Sequence, residues 1–188
     1  MRERVVDRTR QRSAGSAPLR LRPALESDVD SLMRWFADAE ACRLWAGPHF
    51  RCPFDRLSFF DDLRWSSLAS YTMTDRAGTM RGFGQVYPKR QRVHLARLAV
   101  DPANRGNGLG QELIRLIITA AREVFPWRES SLFVYRHNAG AYRCYSKAGF
   151  VEAAYPLGDP VLPGCVFLVR TGSESRYGGF DAQARSNG

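Results

Sequence analysis

The residues best placed to do chemistry in this chain form a glycine-rich run. The run is Val100-Asp-Pro-Ala-Asn-Arg-Gly-Asn-Gly-Leu-Gly110. It joins an apolar segment to a periodic one, which reads as a strand turning directly into a helix. Such a junction is an anion site: the N–H groups of the turn and the unpaired N–H groups of the first helical turn converge, and the helix dipole adds positive potential. Gly106, Gly108 and Gly110 allow a phosphate to approach the backbone closely. The spacing puts Gln111 where a dinucleotide fingerprint needs its third glycine, and no Gly-Lys-Ser/Thr occurs. Gly82-Phe-Gly84 hints at a kinase loop, but its third glycine, His-Arg-Asp and Asp-Phe-Gly are missing.

The elements that must position these residues follow from periodicity. Leu19-Arg-Leu-Arg22 alternates as a first strand, and Ser27 with Asp30 reads as a capping box opening a helix with Val29, Leu32, Met33 and Phe36 inward. Residues 45–52 read as a loop, and Asp55 caps a second helix carrying Leu57, Phe60 and Leu63. Residues 68–74 and 79–87 form a hairpin, and 91–100 continue as a third strand. After the glycine run, a helix faces inward through Leu109, Leu113, Leu116, Ile117, Ala120, Ala121 and Val124, and Pro126 ends it. Residues 131–135 are a buried strand, and Asn138 caps a helix with Ala141, Cys144, Tyr145 and Ala148 inward and Gly149 at its end. Residues 161–170 supply the last strand.

With 188 residues, 44% of them hydrophobic and 25% charged, the chain has the make-up of one globular domain and not of a collagen-like or disordered one. The most membrane-like stretch, 113–121, is broken by Arg115 and falls far short of the roughly 20 apolar residues of a spanning helix. Cys42, Cys52, Cys144 and Cys165 form no Cys-x-x-Cys pair and the three histidines no zinc-ligand spacing, so no metal is expected. The start lacks the apolar core of a secretory signal, which points to a cytoplasmic protein with free thiols. Twenty-eight basic against 19 acidic residues give +9, but residues 1–22 hold seven Arg and two acids, so more than half of the excess lies in an arm. That arm contains no aromatic side chain to stack on a base, which argues against nucleic acid as its partner. The expected division is a mobile basic arm at 1–17, a core domain at 18–171 and a mobile tail at 172–188.

Taken together, these features resemble the GNAT family of acetyl-CoA-dependent N-acetyltransferases. Arg105-x-x-Gly108-x-Gly110 is similar to that family's pyrophosphate loop, and Asn138-x-x-Ala141-x-x-x-Tyr145-x-Lys147-x-Gly149-Phe150 to its downstream motif. Leu21-Arg-Pro with Glu26 and Asp28, and Trp45-Ala-Gly-Pro, resemble bacterial members of unassigned substrate or of the ribosomal-protein-acetylating type. The resemblance implies a mixed α+β acyl-CoA N-acyltransferase fold, with a mostly antiparallel twisted sheet flanked by helices. It implies acetyl-CoA as cosubstrate and a primary amine as acceptor, on a small molecule, a peptide or protein N-terminus, or a lysine. The backbone amides of Arg105, Gly106, Asn107, Gly108, Leu109 and Gly110 would bind the diphosphate. Leu98 and Val100 would pair with the pantetheine arm, the Leu98 amide would polarise the thioester carbonyl, Asn138 would hydrogen-bond the pantetheine, and Tyr145 would protonate the departing thiolate.

The general base departs from family patterns. One relative type places a glutamate where this chain has His94, and another where it has Phe133. Only His94 can accept a proton, and strict alternation puts it on one strand face with Ala96, Leu98 and Val100; a water relay is the alternative. Asp38, Glu40, Asp61 and Asp62 are candidates to attract a cationic acceptor, or else a solvated face. Other readings are a coenzyme A- or RNA-binding module without catalysis, and an acetyltransferase acting on an aminoacyl-tRNA or ribosomal substrate. No membrane partner is expected, and a homodimer is left open.

Overall fold

A computed structural model describes residues 18–36 and 38–172; the arm at 1–17 and the tail, but for Gly172, lie outside the described residues. The elements are β1 (Arg20–Pro23), α1 (Glu26–Arg34), α2 (Ala39–Ala46), α3 (Arg56–Leu63), β2 (Ala69–Thr74), β3 (Met80–Lys89), β4 (Arg92–Val100), α4 (Leu109–Val124), β5 (Ser130–Tyr135), α5 (Ala139–Lys147), β6 (Val151–Ala153) and β7 (Cys165–Arg170). The strands form one sheet in the order β1-β2-β3-β4-β5-β7-β6. Every neighbouring pair is antiparallel except β4–β5. That expected mostly antiparallel sheet is covered on both faces. Val86, Val93, Leu95, Leu132, Val134 and Leu168 meet α4 and α5 on one face, while Phe83 meets α1, α2 and α3 on the other. No helix among the described residues is long and apolar enough to cross a membrane.

Several local expectations are corrected. Helix α1 starts one residue before Ser27, and its cap contact comes from Asp28, which accepts the Leu25 amide at 2.8 Å. Asp28 also accepts from both ends of the Arg22 guanidinium and from the Thr72 hydroxyl, tying β1, α1 and β2 together. Trp45 ends a helix, not a loop: Asp38 caps α2 through the Ala41 amide, and Trp45 stacks on Phe36 at 4.1 Å between centroids. The last strand begins only at Cys165, because Pro156, Pro160 and Pro163 break the preceding segment, and the extra strand β6 forms after Phe150. On α4, Ile114 and Ile118 are buried and Val124 is exposed, so the inward face is turned by one position from that expected.

Candidate active site

Strands β4 and β5 pair only at Val93–Ser130 and His94–Ser131. Beyond these two rungs they part, and the backbone of residues 96–100 has no partner on the β5 side. The parting coincides with a bulge on β4. Gln85 faces Ala96 and Phe83 faces Ala99, so β4 carries one residue more than β3 over this stretch, and Arg97 lies in the left-handed region at φ 48°. The extra residue reverses the alternation. Val93 and Leu95 ahead of it, and Leu98 and Val100 after it, all pack toward α4. The bulge therefore separates His94 from Leu98 and Val100, which correction overturns the strict alternation expected from the sequence.

At the end of β4, Asp101 caps a single turn, Pro102–Asn104, and is held by Arg81 at 2.9 Å. The chain then enters the glycine turn. Gly106 and Gly108 adopt φ of 85° and 80°, and a Cβ at either would point into open space. Gly108 is the N-cap of α4 and offers no side chain to the first-turn amides. Glycine at the cap thus leaves the first-turn amides without a side-chain acceptor at the positive end of a 16-residue helix. Gly110 is needed for another reason, since a Cβ there would stand 2.8 Å from Cys144 Sγ on α5. These residues fit a diphosphate, and the unpaired edge of β4 fits a peptide-like arm lying as an extra strand.

Asn138 is the N-cap of α5, its Oδ1 accepting from the Ala141 amide at 3.3 Å. That leaves its side-chain amide free to donate, so the cap and ligand roles are compatible. Tyr145 packs on the α4-side core with its ring 6.2 Å from Phe150. Burial pushes its phenol above the ordinary tyrosine range, and the negative charge of a Cys144 thiolate would act the same way, so at neutral pH the hydroxyl is protonated. No described residue bonds to that hydroxyl.

His94 lies on the opposite face of the sheet, 3% exposed, between Tyr87 and Phe133 with centroids 5.0 and 5.2 Å away. Its Nδ1 is 3.0 Å from Ser131 Oγ, on the last paired rung before the strands part. Burial, assisted by the Lys89 charge, pushes the imidazole down to about 3. Around this floor, Tyr155 reaches Phe133 from the β6–β7 loop, Asp159 of that loop binds Lys89 at 3.0 Å, and the Arg43 guanidinium of α2 covers Tyr135 at 5.2 Å. A separate surface cleft of about 520 Å³ at the far end of α4, lined by Thr119, Phe125 and Trp127, lies away from all of these residues.

Residues 30–150 match the model of the acetyltransferase (GNAT) family. The chain belongs to the GNAT family. A candidate ribosomal protein bS18-alanine N-acetyltransferase of Bacillus subtilis (strain 168) is 27% identical over 100 residues, which span 53% of this chain and 66%, just under two thirds, of the relative. Spermidine N-acetyltransferase from Vibrio cholerae, solved with CoA and spermine, superposes with a TM-score of 0.65 at 16% identity, covering 82% of this chain and 96% of that one. Aminoglycoside acetyltransferase AAC(6')-Ib, solved with coenzyme A and kanamycin, gives 0.62 at 21% identity, covering 82% and 95%. The fold is therefore the GNAT fold. Within this GNAT domain the structure brings Leu98, Val100, the 105–110 turn, Asn138 and Tyr145 to the α4 side of the parted strands, and leaves His94 on the other. Sequence reasoning missed Arg97 and Gln85. The signal was there in the apolar spacing 93, 95, 98, 100, which slips by one residue at Arg97.

Proposed function

We propose that this GNAT domain transfers the acetyl group of acetyl-CoA to the nitrogen of a primary amine. The observation that carries the reading is the parting of β4 from β5 directly ahead of an open, uncapped glycine turn. The 105–110 amides hold the diphosphate, and the free edge of β4 at Leu98 and Val100 takes the pantetheine arm as an added strand. The Leu98 amide polarises the thioester carbonyl. The amine nitrogen bonds to the acyl carbon, the carbon–sulfur bond breaks, the amine gives its proton to solvent, and Tyr145 gives its proton to the sulfur and regains one from solvent. The Tyr145 hydroxyl, with no hydrogen-bond partner among the described residues, keeps its proton at neutral pH and is free to turn toward the sulfur, which supports catalysis over a mere coenzyme A-binding role.

His94 receives no proton-transfer role in this reading. A sealed imidazole that stays neutral to about pH 3 is a poor acceptor for an ammonium proton of pKa near 10; its part is to fix the last β4–β5 rung. The acceptor class spans both the protein α-amine named for the B. subtilis relative and the small amines named for the structural relatives. Calorimetry with acetyl-CoA tests the site. The native chain is expected to bind, and Gly108→Glu, which puts bulk and negative charge into the anion cradle, to lose measurable binding while staying folded. Equal affinity in the folded variant overturns the assignment.

A further inference from the structure

Building on that acetyl-transfer reading, we infer that Arg97 anchors a carboxylate of the acceptor, so that the preferred amine is an amino carboxylate and not a polycation.

The guanidinium of Arg97 is largely buried beneath Phe50, whose ring centre lies 5.8 Å from Cζ. Desolvation pushes its pKa down, and no described acid lies within salt-bridge distance. Nη1 donates to Gln85 Oε1 at 2.6 Å. Gln85 is itself fully buried, and its Nε2 donates to the Leu63 carbonyl and Ser70 Oγ, which fixes the direction of its oxygen. The other edge of the guanidinium is unspent. Nε is sealed from solvent with no partner among the described residues, and the only hydrogen bond that the guanidinium makes to a described residue is the one from Nη1, so Nη2 is free. Nε and Nη2 form the side-on fork that matches the two oxygens of a carboxylate. A buried cation without an anion is costly, so a site that keeps one is complementary to an anion that arrives with its ligand.

The surroundings agree in sign. Trp45, 5.3 Å from the same Phe50 ring, has a second sealed donor, Nε1, with no partner. The nearby carboxylates are already engaged. Asp62 accepts the Arg51 amide and guanidinium, Glu40 is forked by Arg43, Asp30 binds Arg56, and Asp159 sits between Lys89 and Arg90. Of the candidate cation attractors, Glu40 is paired with Arg43, Asp61 and Asp62 share the one Arg51, and Asp38 spends an oxygen on its helix cap. A polyamine or aminoglycoside is recognised by acceptors, whereas Arg97 and Trp45 hold buried donors without a partner among the described residues. Arg97 also directly precedes Leu98, the residue set against the acyl group. A carboxylate on its fork places an amine a few bonds away beside the acyl carbon.

The test uses the full chain and matched acceptors: a panel of L-amino acids against their C-terminal amides, with spermidine and kanamycin alongside, compared at equal concentrations of unprotonated amine. Acetylated product is read by mass spectrometry and kcat/KM by coenzyme A release. A preference of tenfold or more for the acids is expected. Arg97→Met should remove it by raising KM for the acids with kcat little changed, and Arg97→Lys should restore part of it. In parallel, calorimetry on the coenzyme A-loaded protein compares an N-acetylated amino acid with its amide, where the same tenfold difference is expected and is lost in Arg97→Met. Amides or polycations matching the acids, or Arg97→Met weakening both members of each pair alike, overturn the anchor. Acetyl-CoA binding with no amine acetylated overturns the acetyl-transfer reading instead, and the binding arm still decides the anchor.

Discussion

Burial drives Tyr145 and His94 toward their neutral forms, and the consequence differs because one is an acid and the other a base. The phenol becomes a weaker acid but still holds a proton for a thiolate that forms in equally dry surroundings, whereas the imidazole has lost most of its basicity toward an ammonium proton. Tyr145→Phe keeps the ring against Phe150 and removes only the hydroxyl. Turnover is expected to fall about 100-fold, while acetyl-CoA affinity by calorimetry stays within a factor of two. A kcat equal to that of the native chain at saturating amine would take Tyr145 out of the mechanism.

Among the elements, β4 and α4 jointly build the proposed cosubstrate site, and their fit depends on a second glycine pattern. A Cβ at Gly84 would stand 2.5 Å from Ile117 Cδ1 and 2.6 Å from Leu98 Cδ2. The close packing of α4 on β3 thus holds Leu98 on the far side of the bulge. Gly84→Ala is expected to cost about 1–3 kcal/mol by urea denaturation, because buried methyl groups must leave their rotamers. Pushing Leu98 outward should also raise the acetyl-CoA Kd severalfold. Native-like values of both would show that the α4–β3 contact yields without disturbing the cleft edge.

For the molecule as a whole, buried titratable groups set its response to acid. Burial alone would raise the Asp28 carboxyl, but hydrogen bonds from Arg22, the Leu25 amide and Thr72 prevail and hold it below the ordinary carboxylate range. Stability from this cluster is present above the unfolded value near 3.9 and is lost as pH falls through the folded one. His94 acts over a wider window. Its unfolded pKa near 6.5 exceeds the folded value of about 3, so the unfolded chain binds the extra proton and stability falls steadily as pH drops below about 6.5. Denaturation midpoints between pH 7.5 and 4 should decline, and His94→Gln should flatten that decline between pH 6.5 and 5 while keeping the native acid limb of the rate profile. An unchanged stability slope would mean that His94 is not buried neutral.

What the sequence alone determined is the local chemistry. The glycine turn and the Asn138–Tyr145 motif are each set by residues close along the chain, where spacing and capping rules act directly, and the family, the α4 junction and most strands follow from them. Tertiary structure decided which face each side chain meets. The bulge at Arg97 and the brief β4–β5 pairing depend on neighbouring strands, and the packing that makes Trp45 part of α2 depends on Phe36, Phe50 and Phe59. They reversed the alternation expected of His94, sealed it beside Ser131 and left Arg97 Nε without a partner among the described residues. Burial and pairing are properties of the assembled sheet, so basicity at position 94 and unspent charge at position 97 could be read only once the strands were in register.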